Sequence, residues 1–358
     1  MFRDGYSNQI QQELKQIREN GELKPVPFGF RGWNNYDTGQ FLQASRGSYI
    51  MIGGEPHHGK TYVTNELACQ LMEKHNFKIA LFSSESGSVA KVFSMFYGMY
   101  MGKPYSKIRP DMKPNQYAMT DDERDIAEAF INKRLRVFEQ DRKKDNYQTI
   151  ENIYKMVEEC ERMEDIKFDS VIIDPIYDVD DFEPKANEVK RVLSYIDYQC
   201  EINNRVDIVV NHVAETQKYT NKEGKRFKLR ALGDEFYGGK NNQRKAKLQI
   251  LVERAIPNLT PDDSADFVPE NQTNVIVLKA KPEGVANMGV YPIFYDWKKR
   301  RFYEELNGDT HYADCTRFYG EFTPEVKKEI PYATVEDAFE TSITSENFPK
   351  NEQDEFPF

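Results

Sequence analysis

Residues 48–61 read SYIMIGGEPHHGKT, and no other segment of the chain constrains the architecture as strongly. The apolar first half (48–54) predicts a buried strand, and the residues that follow the segment's glycine-rich part (60–75) predict a helix. Between them lies a match to G-x-x-x-x-G-K-[ST], the pattern of a phosphate-binding loop. Glycines at positions 54 and 59 permit backbone dihedrals that a side chain would block, so that successive N–H groups can surround a phosphate.

The predicted loop should bind ATP together with Mg²⁺. It consists of Gly54, Glu55, Pro56, His57, His58, Gly59, Lys60 and Thr61. We expect Lys60 to reach the β- and γ-phosphates as a point charge, and the Thr61 hydroxyl to complete the Mg²⁺ coordination. The helix that starts near Lys60 adds the positive end of its dipole. The two histidines line the loop and are assigned no chemical step.

Apolar strands alternate with helical stretches on both sides of this loop, which predicts a doubly wound α/β domain with a mostly parallel sheet and flanking helices. Further strands are expected at 78–85, 134–140, 170–175, 205–213 and 247–254. The intervening helices are expected at 88–101, 120–134, 147–163 and 186–203. Two last strands, 273–281 and 289–296, suggest a terminal β-hairpin.

Composition limits the classes of function. The chain has 358 residues, of which 39% are hydrophobic, and a net charge of −10. No apolar run approaches the ~20 residues that span a bilayer, and the first residues lack the apolar core of a secretory signal. The four cysteines are far apart in sequence, which argues against a disulfide framework or a zinc site. We expect a reduced, cytoplasmic protein without a membrane partner, in which any nucleic-acid contact comes from a local basic element.

The chain divides into three predicted segments. Residues 1–24 hold a short linker helix, residues 25–306 hold the ATPase domain, and residues 307–358 form an acidic C-terminal tail. The tail ends in NEQDEFPF, and acidic residues beside a terminal aromatic favour docking on a partner protein. Two alternatives stay open: an ordinary solvated tail, and a tail that folds back on a basic segment and competes with DNA.

Three strand ends carry candidate catalytic groups. Asp174 ends the strand SVIIDP, Glu85 follows the strand in LFSSES, and His212 ends the strand in VVNHV. Ligands of open α/β sheets lie at the carboxyl ends of the strands, which favours Asp174 as a Mg²⁺ ligand and Glu85 as the base that activates water. His212 could sense the γ-phosphate. The alternatives are a solvated aspartate, a capping glutamate and a packed strand-end histidine.

The order of these pieces resembles the RecA-like motor domain of DnaB-type replicative helicases, and the mitochondrial Twinkle and phage primase–helicase branches look closest. LFSSES resembles the family's Phe-Ser-x-Glu segment, which implies that Glu85 is the catalytic base. SVIIDP resembles its Walker B strand, and NHV resembles the position of a histidine sensor. Where the family carries a Lys-x-Arg arginine finger, KAKPEG offers Lys279 and Lys281, so Lys281 would be the finger. We expect the motor without a primase domain before it.

The resemblance also implies a DNA-binding loop. EFYGGKNNQRKAKLQILVER (235–254) is similar to the family's stretch with the central-channel loop. The residues expected to face single-stranded DNA are Lys240, Asn242, Gln243, Arg244 and Lys245. From Lys218 to Arg254 eleven basic residues stand against four acidic ones, a balance of +7, which supports backbone binding. A solvated charged loop is the alternative.

These observations favour a hexameric, ATP-driven helicase that translocates on single-stranded DNA and unwinds duplex. Two other functions stay open. One is a RecA-like ATPase without unwinding activity, such as a recombinase or a regulatory ring. The other is a nucleotide-binding scaffold of a replication assembly that does not hydrolyse ATP.

Overall fold

The computed structural model describes residues 7–21, 24–35, 40–139, 148–183, 185–213, 218–220, 226–228, 231–254 and 271–318. The helices are α1 (Asn8–Asn20), α2 (Lys60–His75), α3 (Val89–Met101), α4 (Asp121–Ile131), α5 (Ile150–Glu164), α6 (Ala186–Asn203) and α7 (Lys240–Lys245). The first strands are β1 (Pro25–Pro27), β2 (Asn34–Asn35), β3 (Gln40–Phe41), β4 (Gln43–Ser45), β5 (Ser48–Gly54), β6 (Ile79–Ser83), β7 (Leu135–Phe138), β8 (Ser170–Asp174) and β9 (Val206–His212). The remaining strands are β10 (Lys218–Thr220), β11 (Arg226–Lys228), β12 (Leu248–Arg254), β13 (Gln272–Ala280), β14 (Gly289–Asp296), β15 (Arg301–Leu306) and β16 (Asp309–Tyr312).

A ten-stranded sheet organises the domain, in the order β16-β15-β14-β13-β12-β5-β9-β8-β6-β7. The strands from β12 to β7 in this order are parallel, and those from β13 to β16 are added antiparallel. The predicted α/β class, the mostly parallel sheet and the terminal hairpin, β13–β14, are confirmed. The hairpin is extended by two strands that the sequence analysis did not anticipate.

The sheet also continues past residue 306, where we had placed the end of the ATPase domain. Strand β16 pairs with β15 through Tyr303–Tyr312 and Leu306–Asp309, and the described chain stays packed on the domain as far as Phe318. The boundary at 306/307 was therefore too early, because the acidic composition of this segment conceals a short strand that pairs with its neighbour along the chain. The tail from residue 319 lies outside the described residues.

The parallel strands are buried on both faces, as their continuous apolar runs require. All residues of β5 are buried. Ile50 and Ile52 contribute to one core cluster and Tyr49 and Met51 to the other, as the two-residue period of a strand dictates. Helices on both sides of the sheet complete the two clusters, and the phosphate-loop strand is thereby fixed at the centre of the domain.

A buried ion cluster attaches the helix after the phosphate loop to the antiparallel end of the sheet. Arg301 of β15 is fully buried and donates to both carboxylate oxygens of Glu66 at 2.8 and 3.0 Å and to Glu73 at 2.9 Å. Both glutamates lie on α2. Removal of any partner would leave a buried charge uncompensated, which costs about 3–5 kcal/mol. The cluster therefore holds α2 in one position relative to β15.

The described residues contain no helix that is long and apolar enough to cross a membrane. Helix α1 instead carries an apolar stripe on a polar surface. Its Leu14 and Ile17 are 49% and 45% exposed in the single chain.

Candidate active site

The sheet topology brings the candidate groups together at one edge. Strands β5, β9, β8 and β6 are consecutive and parallel, so their carboxyl ends lie side by side. These ends carry Gly54, His212, Asp174 and, just after Ser83, Glu85. This edge is where open α/β sheets bind ligands.

The phosphate loop has the backbone that its glycines allow. Gly59 adopts a φ of 86° at the start of α2, in the left-handed region. A β-carbon on Gly54 would lie 2.6 Å from the carbonyl oxygen of Val252, so that only glycine fits beside β12. The ammonium of Lys60 folds over the loop and donates to the carbonyls of Gly54 and Glu55, each at 3.0 Å. Burial lowers the pKa of Lys60, and the nearby carboxylate of Asp174 opposes that shift.

Asp174 and Thr61 provide hard oxygen ligands at the foot of this loop. Asp174 is 3% exposed. Burial raises its pKa to about 6, although a hydrogen bond from Thr61 and the charge of Lys60 oppose the shift and Glu85 adds to it. A buried carboxylate that is costly to ionise gains from a cation, and oxygen donors suit Mg²⁺. The residues present therefore fit the metal. The described part of the chain holds no separate cluster of three or more His, Cys, Asp or Glu side chains that could bind an ion.

Glu85 lies beside His212 and Tyr177. The Tyr177 hydroxyl donates to Glu85 Oε1 at 3.1 Å, and His212 Nε2 lies 3.7 Å from the same oxygen. His212 Nδ1 is 3.4 Å from the Lys60 ammonium. Burial, followed by the charge of Lys60, lowers the pKa of His212, so the imidazole is neutral at neutral pH. The structure thus brings together Lys60, Thr61, Asp174, Glu85 and His212, as the sequence predicted.

The glycine-rich segment before α7 is tied to the end of β9. The Tyr237 amide donates to the His212 carbonyl at 2.8 Å, and the Asn211 side-chain amide donates to the Tyr237 carbonyl at 2.9 Å. Any displacement of His212 along its strand would therefore pull on this segment.

Asn242 corrects one prediction. It is fully buried, and its side-chain amide donates to the carbonyls of Phe236, Tyr237 and Gly239 while its oxygen accepts from Asn211. Asn242 therefore closes the glycine-rich segment on itself and cannot face a DNA strand. A buried amide in this position satisfies backbone carbonyls that the tight turns leave without partners.

The other candidate DNA contacts have different environments. Lys240, Gln243 and Arg244 are exposed on α7, whereas Lys245 is half-buried. The Lys279 ammonium donates to the carbonyl oxygens of Gln243 and Arg244 at the end of that helix. Lysine at a helix C-terminus satisfies unpaired carbonyls and complements the dipole.

Lys281 lies at the opposite edge of the sheet from the phosphate loop. Strand β13 runs antiparallel to β12, and its last residue, Ala280, pairs with Leu248 at the start of β12. Strand β12 reaches the loop edge only at its other end, about 20 Å away at ~3.3 Å per residue. Lys281 therefore does not join the cluster around Lys60 of its own chain.

Two neighbours of the cluster escaped the sequence analysis as site residues. Arg254 ends β12, where its guanidinium lies within 3.7 Å of the β-carbon position of Gly59 and its amide donates to His58 Nδ1 at 3.4 Å. A basic residue that ends the strand beside the phosphate-loop strand was the available signal. Tyr177 gave no such signal, because its contact with Glu85 depends on the turn that follows β8.

The fold has known counterparts, although the sequence does not. No protein-family model matches the chain, and no curated protein matches its sequence. Among solved structures, the chain is similar to a DnaB-like replicative helicase described with its interactions with primase, at 15% identity and a TM-score of 0.60 over 83% of this chain and 68% of that one. It is also similar to the separately solved ATPase domain of a second helicase, at 14% identity and a TM-score of 0.60 over 84% of this chain and 99% of that one. The chain therefore has the fold of a helicase ATPase domain.

Proposed function

We propose that this chain is an ATP hydrolase that acts as a hexameric DNA helicase in the cytoplasm, that of a bacterial host if a phage encodes it. The observation that carries the proposal is the convergence of Lys60, Thr61, Asp174 and Glu85 at one edge of a sheet with the fold of helicase ATPase domains. A phosphate loop, an acidic metal ligand and a carboxylate base are the parts that nucleotide hydrolysis needs.

Each residue has a role that follows from its position. The Lys60 ammonium, which bonds the carbonyls of Gly54 and Glu55, would turn to the β- and γ-phosphates. Mg²⁺, held by Thr61 and Asp174, would supply positive charge for the phosphate oxygens. Glu85 would accept a proton from the attacking water. A neutral His212, between Lys60 and Glu85, would donate or accept a hydrogen bond at the γ-phosphate and transmit its loss to β9.

Single-stranded DNA is proposed to bind the basic segment between Lys218 and Arg254. Its described part includes the antiparallel ribbon β10–β11 and α7, which presents Lys240, Gln243 and Arg244 to solvent. Because the segment is bonded to His212 through Tyr237, a change at the γ-phosphate has a short covalent and hydrogen-bonded route to the DNA contacts. This arrangement supports a translocase over a static nucleotide-binding protein.

Assembly into a ring would complete the site. Lys281 is too far from its own phosphate loop, so a role in hydrolysis requires that it reach the nucleotide of an adjacent subunit. The half-exposed Leu14 and Ile17 of α1 offer an apolar surface for the same contact between subunits. We expect a homo-oligomer, with six subunits as in the family that the motifs resemble.

Strand displacement on a forked duplex, with ATP and Mg²⁺, tests the proposal. The wild-type protein should hydrolyse ATP faster in the presence of single-stranded DNA and should separate the fork. Lys60→Ala should do neither, because the phosphate charge loses its partner. ATP hydrolysis by the wild type without any unwinding would contradict the helicase assignment and favour a regulatory ring or a recombinase.

A nucleotide-binding scaffold remains the second candidate. It is favoured by the lysine at position 281, since lysine binds a phosphate less specifically than the bidentate arginine that a finger normally uses. A scaffold would bind ATP and assemble without turnover. Steady-state hydrolysis that disappears in Glu85→Gln would exclude it.

A further inference from the structure

Tyr177 lies in a short turn that the sheet places against the proposed base. The one-turn helix Ile176–Asp178 follows β8 directly, and Ile176 anchors it in the core with no exposed surface. Tyr177 itself is 41% exposed, so its ring is not there to fill the core. Strand β8 neighbours β6, and the turn therefore faces the residues that follow β6.

Three contacts join this turn to the catalytic edge. The Tyr177 hydroxyl donates to Glu85 Oε1 at 3.1 Å. The Tyr177 ring packs edge-on against the His212 ring, with centroids 4.7 Å apart and an interplanar angle of 74°. Next to it, Asp178 accepts a hydrogen bond from the Ser84 hydroxyl, one residue before Glu85. The turn thus holds both the backbone and the side chain of the segment that carries the base.

We propose that Tyr177 is a positioning residue for ATP hydrolysis, which holds the Glu85 carboxylate in the orientation that activates water and keeps His212 beside it. The inference rests on the proposed function, in which Glu85 is the base. The hydroxyl bonds Oε1 and leaves the second carboxylate oxygen for the attacking water. The ring limits the imidazole to one orientation between Lys60 and Glu85.

Glu85 needs such a partner because little else restrains it. Its side chain is 44% exposed, and the nearest His212 nitrogen, at 3.7 Å, is beyond hydrogen-bonding distance. Without the tyrosine hydroxyl the carboxylate would rotate into solvent. A hydrogen bond to a charged group at a partly exposed position corresponds to about a tenfold effect on an equilibrium between orientations.

The test separates the hydroxyl from the ring. Tyr177→Phe keeps the ring against His212 and removes only the hydrogen bond. We expect kcat for ATP to fall about tenfold while KM and the melting temperature stay close to wild type, because substrate binding and folding do not use this bond. Tyr177→Ala should lower kcat further. Tyr198→Phe, the same change at an exposed tyrosine on α6, is the matched control and should leave kcat unchanged.

A double-mutant cycle identifies the mechanism. In a Glu85→Gln background, Tyr177→Phe should have little additional effect on the residual turnover, since the partner that it orients is gone. If wild type hydrolyses ATP and Glu85→Gln does not, but Tyr177→Phe equals wild type, the inference about Tyr177 is wrong and the proposed function stands. If Tyr177→Phe has the same effect with and without Glu85, Tyr177 acts through something else and the inference is again wrong. If the wild-type protein itself shows no turnover, the proposed function fails.

Discussion

The ring of Phe236 lies directly on the α-carbon of Gly53. A β-carbon on Gly53 would fall 2.1 Å from Phe236 Cζ, a distance that real atoms do not reach. Phe236 is 1% exposed and belongs to the glycine-rich segment before α7, whereas Gly53 is part of the phosphate-loop strand. The nucleotide-binding strand and the proposed DNA-binding segment are therefore packed against each other through a contact that only glycine permits.

Gly53→Ala should uncouple these two parts. The added methyl group displaces Phe236, and overpacking of this kind costs about 1–3 kcal/mol of the free energy of unfolding. We expect chemical denaturation to show that loss, and ATPase stimulation by single-stranded DNA to fall more than basal ATPase activity. Gly289→Ala is the control, because a β-carbon there meets only Tyr291 at 3.9 Å. Equal stabilities for Gly53→Ala and Gly289→Ala would show that Phe236 accommodates the methyl group.

Asp174→Asn should stabilise the nucleotide-free protein while it abolishes Mg²⁺-dependent hydrolysis. The folded-state pKa of Asp174 is raised to about 6, so the folded protein keeps a proton that the unfolded chain loses as pH rises from about 4 to about 6. The free energy of unfolding therefore falls as pH rises through this window and stays lower above it. At pH ~7.5 the asparagine variant should be more stable by about 1–3 kcal/mol.

Denaturation at several pH values, without Mg²⁺ and nucleotide, measures this difference between Asp174→Asn and wild type. The difference should vanish near pH ~4, where the aspartate is protonated in the folded protein and largely protonated in the unfolded chain. A stability difference that does not depend on pH would contradict burial of the Asp174 charge as its cause.

Glu85→Gln should bind ATP and fail to hydrolyse it. The amide keeps the shape of the carboxylate and its contact with Tyr177, but it cannot accept a proton from water. We expect turnover to fall by ~10²-fold or more, the size expected for a lost general base. Nucleotide affinity, measured by titration with a fluorescent ATP analogue, should be unchanged. Normal turnover in this variant would place the base elsewhere.

Substitutions on α7 should distinguish DNA contacts from structural residues. Lys240→Ala and Arg244→Ala remove exposed charges, so each should weaken single-strand binding and reduce its salt slope by ~0.7 per lost phosphate contact. Basal hydrolysis and stability should not change. Asn242→Ala should instead lower stability by about 1–3 kcal/mol, because buried carbonyls lose their donor. Fluorescence anisotropy at several salt concentrations measures the first effect and urea denaturation the second. Unchanged affinity in both charge variants would move the DNA site away from α7.

Lys281→Ala should impair hydrolysis only in the assembled ring. The residue lies at the sheet edge opposite its own phosphate loop, so any effect on turnover has to act on a neighbouring subunit. Mixing Lys281→Ala with Lys60→Ala subunits should restore part of the activity, since some interfaces would then combine two intact halves. A Lys281→Ala protein that hydrolyses ATP as fast as wild type would remove this residue from the site.

Local patterns in the chain were sufficient for the central part of the fold. The phosphate loop is encoded by glycines and a lysine at fixed spacing, and the buried parallel strands by continuous apolar runs such as SVIIDP. Because carboxyl ends of parallel strands share one edge, Asp174, Glu85 and His212 could be expected to meet Lys60 without knowledge of the strand order.

Contacts between distant segments could not be obtained in this way. Asn242 has the composition of a solvent-facing loop residue, but it is buried because nearby turns leave carbonyls that need a donor. The two strands after β14 are hidden by their polar and acidic residues, which pair along a sheet edge rather than fill a core. Tyr177 meets Glu85 only because β8 and β6 are neighbours, and the order of strands is set by the packing of the whole sheet.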